Sequence, residues 1–119
     1  MNIQIFGKNK CFDSKSAERF FKERKIKFQY INTPEKGLSL RELQNVLNNV
    51  KDVSLLFDKK SPLYESLFVE HLKRSDEEKL QLLLENPSLI KTPIVRDCDT
   101  KKCTVGKAEN IWKDWCNQK

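Results

Sequence analysis

A chain of 119 residues and 14.1 kDa fits one domain of ordinary size; 38% hydrophobic with 34% charged residues excludes a disordered chain, and the longest apolar runs fall far short of the roughly 20 residues of a membrane helix. The net charge of +6 comes from 23 basic and 17 acidic residues spread along the chain without a basic tract or interleaved aromatics, so mild attraction for anions is expected and no direct nucleic-acid contact. The start Met1-Asn2-Ile3-Gln4-Ile5-Phe6 lacks the pattern of a secretory signal, so a cytoplasmic location is expected, with Cys11, Cys98, Cys103 and Cys116 as free thiols.

Ile3 and Ile5 alternate with polar residues before Phe6-Gly7, which predicts a short strand closed by a turn. From Ser14 to Lys25, Ala17, Phe20 and Phe21 fall on one face of a helix. Phe28 and Tyr30 predict a second strand over 26–31, ended by the turn formers of 32–37.

Ser39 and Glu42 make a capping box, Leu38 and Leu43 staple across it, and Leu43, Val46, Leu47 and Val50 form a buried helical stripe. Residues 53–57, 62–72 and 76–85 read as further helix, the last opening on a second box from Ser75 to Glu78. Strands return at 94–96 and 103–105 around a hairpin loop, and a closing helix sets Ala108, Ile111, Trp112 and Trp115 on one side.

The order is β-α-β, helices, then β-β-α. That is an α/β protein of thioredoxin-like fold with a mixed four-stranded sheet, a single domain over 1–119 whose core is 1–37 and 91–119 and whose all-helical insertion is about 38–90.

Cys11 falls at the start of the first helix, where unpaired N–H groups and the helix dipole stabilise a thiolate, and Lys8 and Lys10 add charge of the same sense. An acidic, accessible thiol is expected; the alternative is a buried cysteine packed as a small hydrophobe. Ser14, three residues on, either hydrogen-bonds that sulfur or caps the helix. Pro93, after Thr92, opens a strand, and the sequence leaves the isomer of the Thr92–Pro93 bond open.

Ile3-Gln4-Ile5-Phe6-Gly7, Cys11-Phe12-Asp13-Ser14, Leu38-Ser39-x-x-Glu42-Leu43, Val105-Gly106-Lys107 and above all Asn86-Pro87-Ser88-Leu89-Ile90-Lys91-Thr92-Pro93-Ile94-Val95 resemble the arsenate reductase (ArsC) and Spx family across nearly the whole chain. The resemblance implies Cys11 as catalytic thiol with Pro93 as a cis-proline beside it. It implies two activities.

One is a thiol-dependent oxidoreductase in which the Cys11 thiolate attacks an oxyanion or a disulfide, with no tightly bound cofactor, glutathione or another small thiol as co-reductant, and a glutaredoxin or thioredoxin-type protein as reducing partner. The other is an Spx-like transcriptional regulator or redox-sensing module that contacts RNA polymerase. In either case a monomer is expected.

The chain departs from the family's arginine pattern, with Thr92 before the proline and Lys107 at a later arginine position, while Lys60 lies near the third and Arg96 is a possible substitute. A lysine supplies a point charge where an arginine supplies a two-pronged fork. Against the regulator, the fourth position of the Cys-x-x-Cys switch is Ser14, and the segment 48–57 lacks the glycine of the polymerase-facing surface.

Cys98 and Cys103 flank the hairpin loop and are read as unpaired thiols, with mutual pairing or resolution of an oxidised Cys11 as alternatives. With Cys116 and His71 they lack zinc-knuckle spacing, so no metal site is expected.

Overall fold

The computed structural model describes residues 2–9, 11–66 and 74–117; Lys10, His71 and the end of the helix expected over 62–72 lie outside them. Strand β1 (Ile3–Gly7) is central, pairing in parallel with β2 (Phe28–Asn32) and antiparallel with β3 (Ile94–Asp97), which in turn pairs antiparallel with β4 (Lys102–Val105). The sheet order is therefore β2-β1-β3-β4, a mixed sheet of thioredoxin-like topology.

Alternation along the strands divides the core between two faces. Ile3, Ile5 and Val95 pack under α1 (Phe12–Glu23) and α6 (Glu109–Asn117), against Phe20, Phe21 and Trp112. Phe6 and Ile94 turn the other way and meet Leu43, Val46, Leu56, Leu83 and Leu89 from the segment between β2 and β3.

That segment holds α2 (Thr33–Lys36), α3 (Leu40–Val50), α4 (Pro62–Ser66) and α5 (Asp76–Glu85), with 3-10 turns at Val53–Leu56 and Pro87–Leu89. The Ser39–Glu42 box forms in both directions, and Leu38 and Leu43 are buried beside it. At α5 the Ser75 hydroxyl accepts from the Glu78 N–H.

Three expectations are corrected. The turn formers at 32–37 make a short helix, because Pro34 sits in its first turn, where it has no bond to lose, and Gly37 at φ 64° ends it. Of the helix expected over 53–57, Val53–Leu56 form a 3-10 turn, and Phe57 leaves it extended to bridge Ile90. Ile111 is 47% exposed and off the α6 stripe, which runs through Trp112 and Trp115. Cys98 and Cys103 are free thiols, as expected, and their pairing with each other is excluded.

Among the described residues no helix is long and apolar enough to cross a membrane, and no three His, Cys, Asp or Glu converge as a metal site.

Burial pushes the Cys103 thiol from 9.0 up to about 11, against the opposing charge of Arg96. An acid with a raised folded pKa stabilises the fold while neutral, so its contribution is whole below pH 9 and is lost as the pH climbs through about 11. Between those limits the native protein is expected to lose on the order of 2 kcal/mol more stability than Cys103→Ala, read from urea unfolding of both. Parallel pH profiles would refute this.

Candidate functional site

β1 delivers the chain to the site through Gly7, whose missing side chain is a steric requirement. A Cβ there would lie 2.7 Å from the Tyr30 hydroxyl and 2.9 Å from Ser14 Oγ. The absent methyl lets the first turn of α1 sit down on the sheet.

Cys11 is the N-cap of that helix, in extended conformation, and its side chain makes no cap hydrogen bond. The sulfur is thus left free for other partners. The Thr92 hydroxyl donates to Sγ at 3.4 Å, and as a thiol Sγ faces the Thr92 carbonyl oxygen at 3.8 Å.

Burial opposes ionisation of Cys11, but the Ser14 and Thr92 hydroxyls, together with the polarity of the nearby Ser14 and Asp13 N–H groups, outweigh it, so the thiol sits below its ordinary value. Cys11 is also partly exposed, so it is not a packed hydrophobe. Ser14 is fully buried inside the first turn, where its oxygen accepts from the Lys8 N–H at 3.4 Å; it does not cap the helix, because Cys11 occupies the cap.

The Thr92–Pro93 peptide is cis, Pro93 is buried, and its carbonyl accepts from the Gly106 N–H at 2.8 Å.

An open cleft of about 300 Å³ lies in front of Cys11, lined by Lys8, Phe12, Asp13, Asp58, Lys60, Lys91 and Thr92. Phe12 is 87% exposed at its rim. Asp58, Lys91 and Tyr30 were not expected here. The bridge between Phe57 and Ile90 explains the first two: the Asp58 N–H reaches the Leu89 carbonyl and the Lys91 N–H the Leu56 carbonyl, each at 2.7 Å, so both residues flank Thr92. Tyr30 stands behind the thiol, its phenol pushed up by burial and by the charges of Glu18 and Cys11.

Asp58 decides the electrostatics. Its carboxylate takes the Lys8 ammonium at 2.6 Å and the Lys60 N–H at 3.0 Å, and although burial works against the charge, these donors and Lys91 hold the carboxyl below its usual range. Lys8 is therefore paired with Asp58 and is not a free cation beside the sulfur.

The comparisons with known proteins fit this geometry. The model of the ArsC family matches residues 6–115. The chain belongs to the ArsC family.

Spx regulators stand among the sequence relatives of this ArsC chain, and an arsenate reductase among the solved structures of like fold. It is 27% identical over 129 residues to global transcriptional regulator Spx 2 of Oceanobacillus iheyensis, covering 97% of this chain and 93% of that one. It is 25% identical to the global transcriptional regulator Spx of Streptococcus pneumoniae, over 91% of this chain and 80% of the other.

In fold it matches an ArsC family related protein from Bacteroides fragilis with a TM-score of 0.87 at 20% identity, over 96% and 97% of the two chains. The arsenate reductase from Vibrio cholerae follows at 0.78 and 24% identity, over 88% and 89%.

Two of the cations expected at the site lie elsewhere. Gly106, at φ 77°, turns the chain after β4, so Lys107 is exposed in a cleft between α1 and α6 with Arg19 and Lys113, 3.8 Å from Glu109. Arg96 lies further along β3, bonded to Asn45 and Gln4. Lys60 is the one that reaches the Cys11 cleft.

Proposed function

We propose that this ArsC-family protein is a thiol-dependent oxidoreductase whose Cys11 thiolate attacks a disulfide in preference to an oxyanion. The observation that carries the reading is the sulfur at the N-cap of α1, hydrogen-bonded by Ser14 and Thr92 and open to a cleft. A carboxylate in that cleft, Asp58, and a threonine in place of a forked arginine disfavour a dianion; Lys60 and Lys91 suit a substrate with one carboxylate beside its sulfur.

In the first step the thiolate forms a bond to one substrate sulfur, the S–S bond breaks, and the other sulfur departs as thiolate. Because Ser14 stands where a resolving cysteine would, a second thiol must come from outside: glutathione or another small thiol attacks the mixed disulfide, forms a new disulfide and returns the Cys11 thiolate. The two electrons come from two external thiols, the second of which attacks the new disulfide in turn, or from a glutaredoxin or thioredoxin-type dithiol partner that attacks the mixed disulfide in their place.

NADPH oxidation coupled through glutathione and glutathione reductase, with hydroxyethyl disulfide or arsenate as substrate, tests this. Disulfide turnover is expected above the uncatalysed rate, above arsenate turnover, and absent in Cys11→Ser; Ser14→Ala is expected to raise the pH midpoint of Cys11 alkylation, since it removes a hydroxyl that favours the thiolate. Equal rates for native protein and Cys11→Ser would end the reading.

The near full-length likeness to Spx regulators favours a second reading, a redox-sensing module that contacts RNA polymerase through the helical insertion. Co-purification with RNA polymerase in the absence of turnover would select it.

A further inference from the structure

We propose that the cleft around Arg96 is a second anion site, independent of Cys11, that takes a phosphate-type oxyanion. Arg96 lies four residues beyond Thr92, about 13 Å along an extended chain, on the face of β3 that meets α3. Its Nε donates to Asn45 Oδ1 at 3.0 Å and one Nη to Gln4 Oε1 at 3.3 Å.

Both acceptors are neutral amides, and among the described residues Arg96 enters no ion pair. The guanidinium is thus fixed in orientation with its charge intact, and donors of its planar fork beyond those two bonds face a ligand. Arg41 and Lys101 line the same cleft of about 310 Å³, with Asn48 as a further amide; Glu42, the single carboxylate there, already accepts from the Ser39 N–H.

The frame is built before any ligand arrives. Asn45 is held by Cys103 Sγ at 3.4 Å and by its own bond to the Lys101 carbonyl at 3.0 Å, and Asn49 donates to that same carbonyl at 3.1 Å. Lys101 is therefore pinned to α3 at a left-handed residue, φ 61°. Three cations, one of them a preoriented fork, suit a compact dianion better than a carboxylate.

The test is titration of the full chain with inorganic phosphate and with O-phosphoserine, at constant ionic strength in chloride, followed by amide NMR shifts. Saturable shifts are expected at Asn45, Lys101 and Cys103, unchanged in Cys11→Ser. Arg96→Gln should weaken binding at least about tenfold and Arg96→Lys less.

Since Arg96 also braces Asn45, the exposed Arg41→Gln and Lys101→Gln variants serve as checks that leave the frame in place; each should weaken binding a few-fold. Tighter binding of O-phosphoserine than of inorganic phosphate would mark an esterified phosphate as the ligand, the reverse the free ion. Shifts that fail to saturate, survive Arg96→Gln at full strength, or occur only around Cys11 would overturn the site, whatever the thiol assays report.

Discussion

Trp112→Ala is expected to destabilise the protein by about 3–5 kcal/mol, a large part of the roughly 5–15 kcal/mol that holds a domain of this size together. Trp112 is fully buried where α6 crosses the sheet; its ring meets Phe20 edge-on at 5.4 Å and Phe21 at 5.7 Å, and its indole N–H donates to Thr104 Oγ1 at 2.8 Å. The alanine variant loses the packing and also strands a buried hydroxyl. Trp112→Phe should recover most of the packing but not the hydrogen bond. Ile111→Ala, one residue away and half exposed, should cost no more than about 0.5 kcal/mol. Urea unfolding of the three variants measures this; a Trp112→Ala cost near that of Ile111→Ala would mean that α6 is not fastened by this ring.

The contrast between neighbours on α6 shows where the sequence was readable. Where a side-chain pattern and a backbone demand coincide, the reading held: the capping box at Ser39 and Glu42, the apolar run of α5 after Ser75, and the alternation at Ile3 and Ile5 each serve both. On the short α6, periodicity alone admitted Ile111 to the stripe, because an apolar residue next to a tryptophan fits either side of the boundary. Turn-forming residues misled at 32–37 for a related reason: proline ends a helix only when it falls inside one, and here it starts one.

The candidate site was legible around the sulfur and illegible around the charges. Cys11, Ser14 and Thr92 follow from the helix start and the proline segment, both local signals. Which cations reach the thiol depends on strand faces and on turns that no spacing reveals. Arg96 shares its face of β3 with Ile94 and so is carried toward α3, Gly106 turns Lys107 out toward Glu109, and Asp58 arrives through the bridge between Phe57 and Ile90 in the segment between β2 and β3. A signal for Asp58 did exist, in an acidic residue directly after the apolar Leu55-Leu56-Phe57 and before Lys59-Lys60-Ser61. Its pairing with a lysine 50 positions earlier leaves no local trace.

That carboxylate yields the second large effect. Asp58→Asn is expected to tighten binding of an inorganic oxyanion at Cys11 by about tenfold, because it removes a negative charge from the cleft and releases the Lys8 ammonium that it now holds. The asparagine oxygen is still able to accept from the Lys60 N–H, so the loop geometry persists, and the folding cost should stay within about 1–3 kcal/mol, that of a hydrogen bond to a charged group. The measurement is protection of Cys11 from iodoacetamide by sulfate or arsenate, compared between native protein and Asp58→Asn at fixed ionic strength. A protection midpoint that falls in the variant means one side chain, 47 positions from the thiol in sequence, turns the cleft away from dianions and toward sulfur substrates. An unchanged midpoint would place the discrimination elsewhere, with Thr92, whose hydroxyl donates to the sulfur, as the next residue to exchange, by Thr92→Arg.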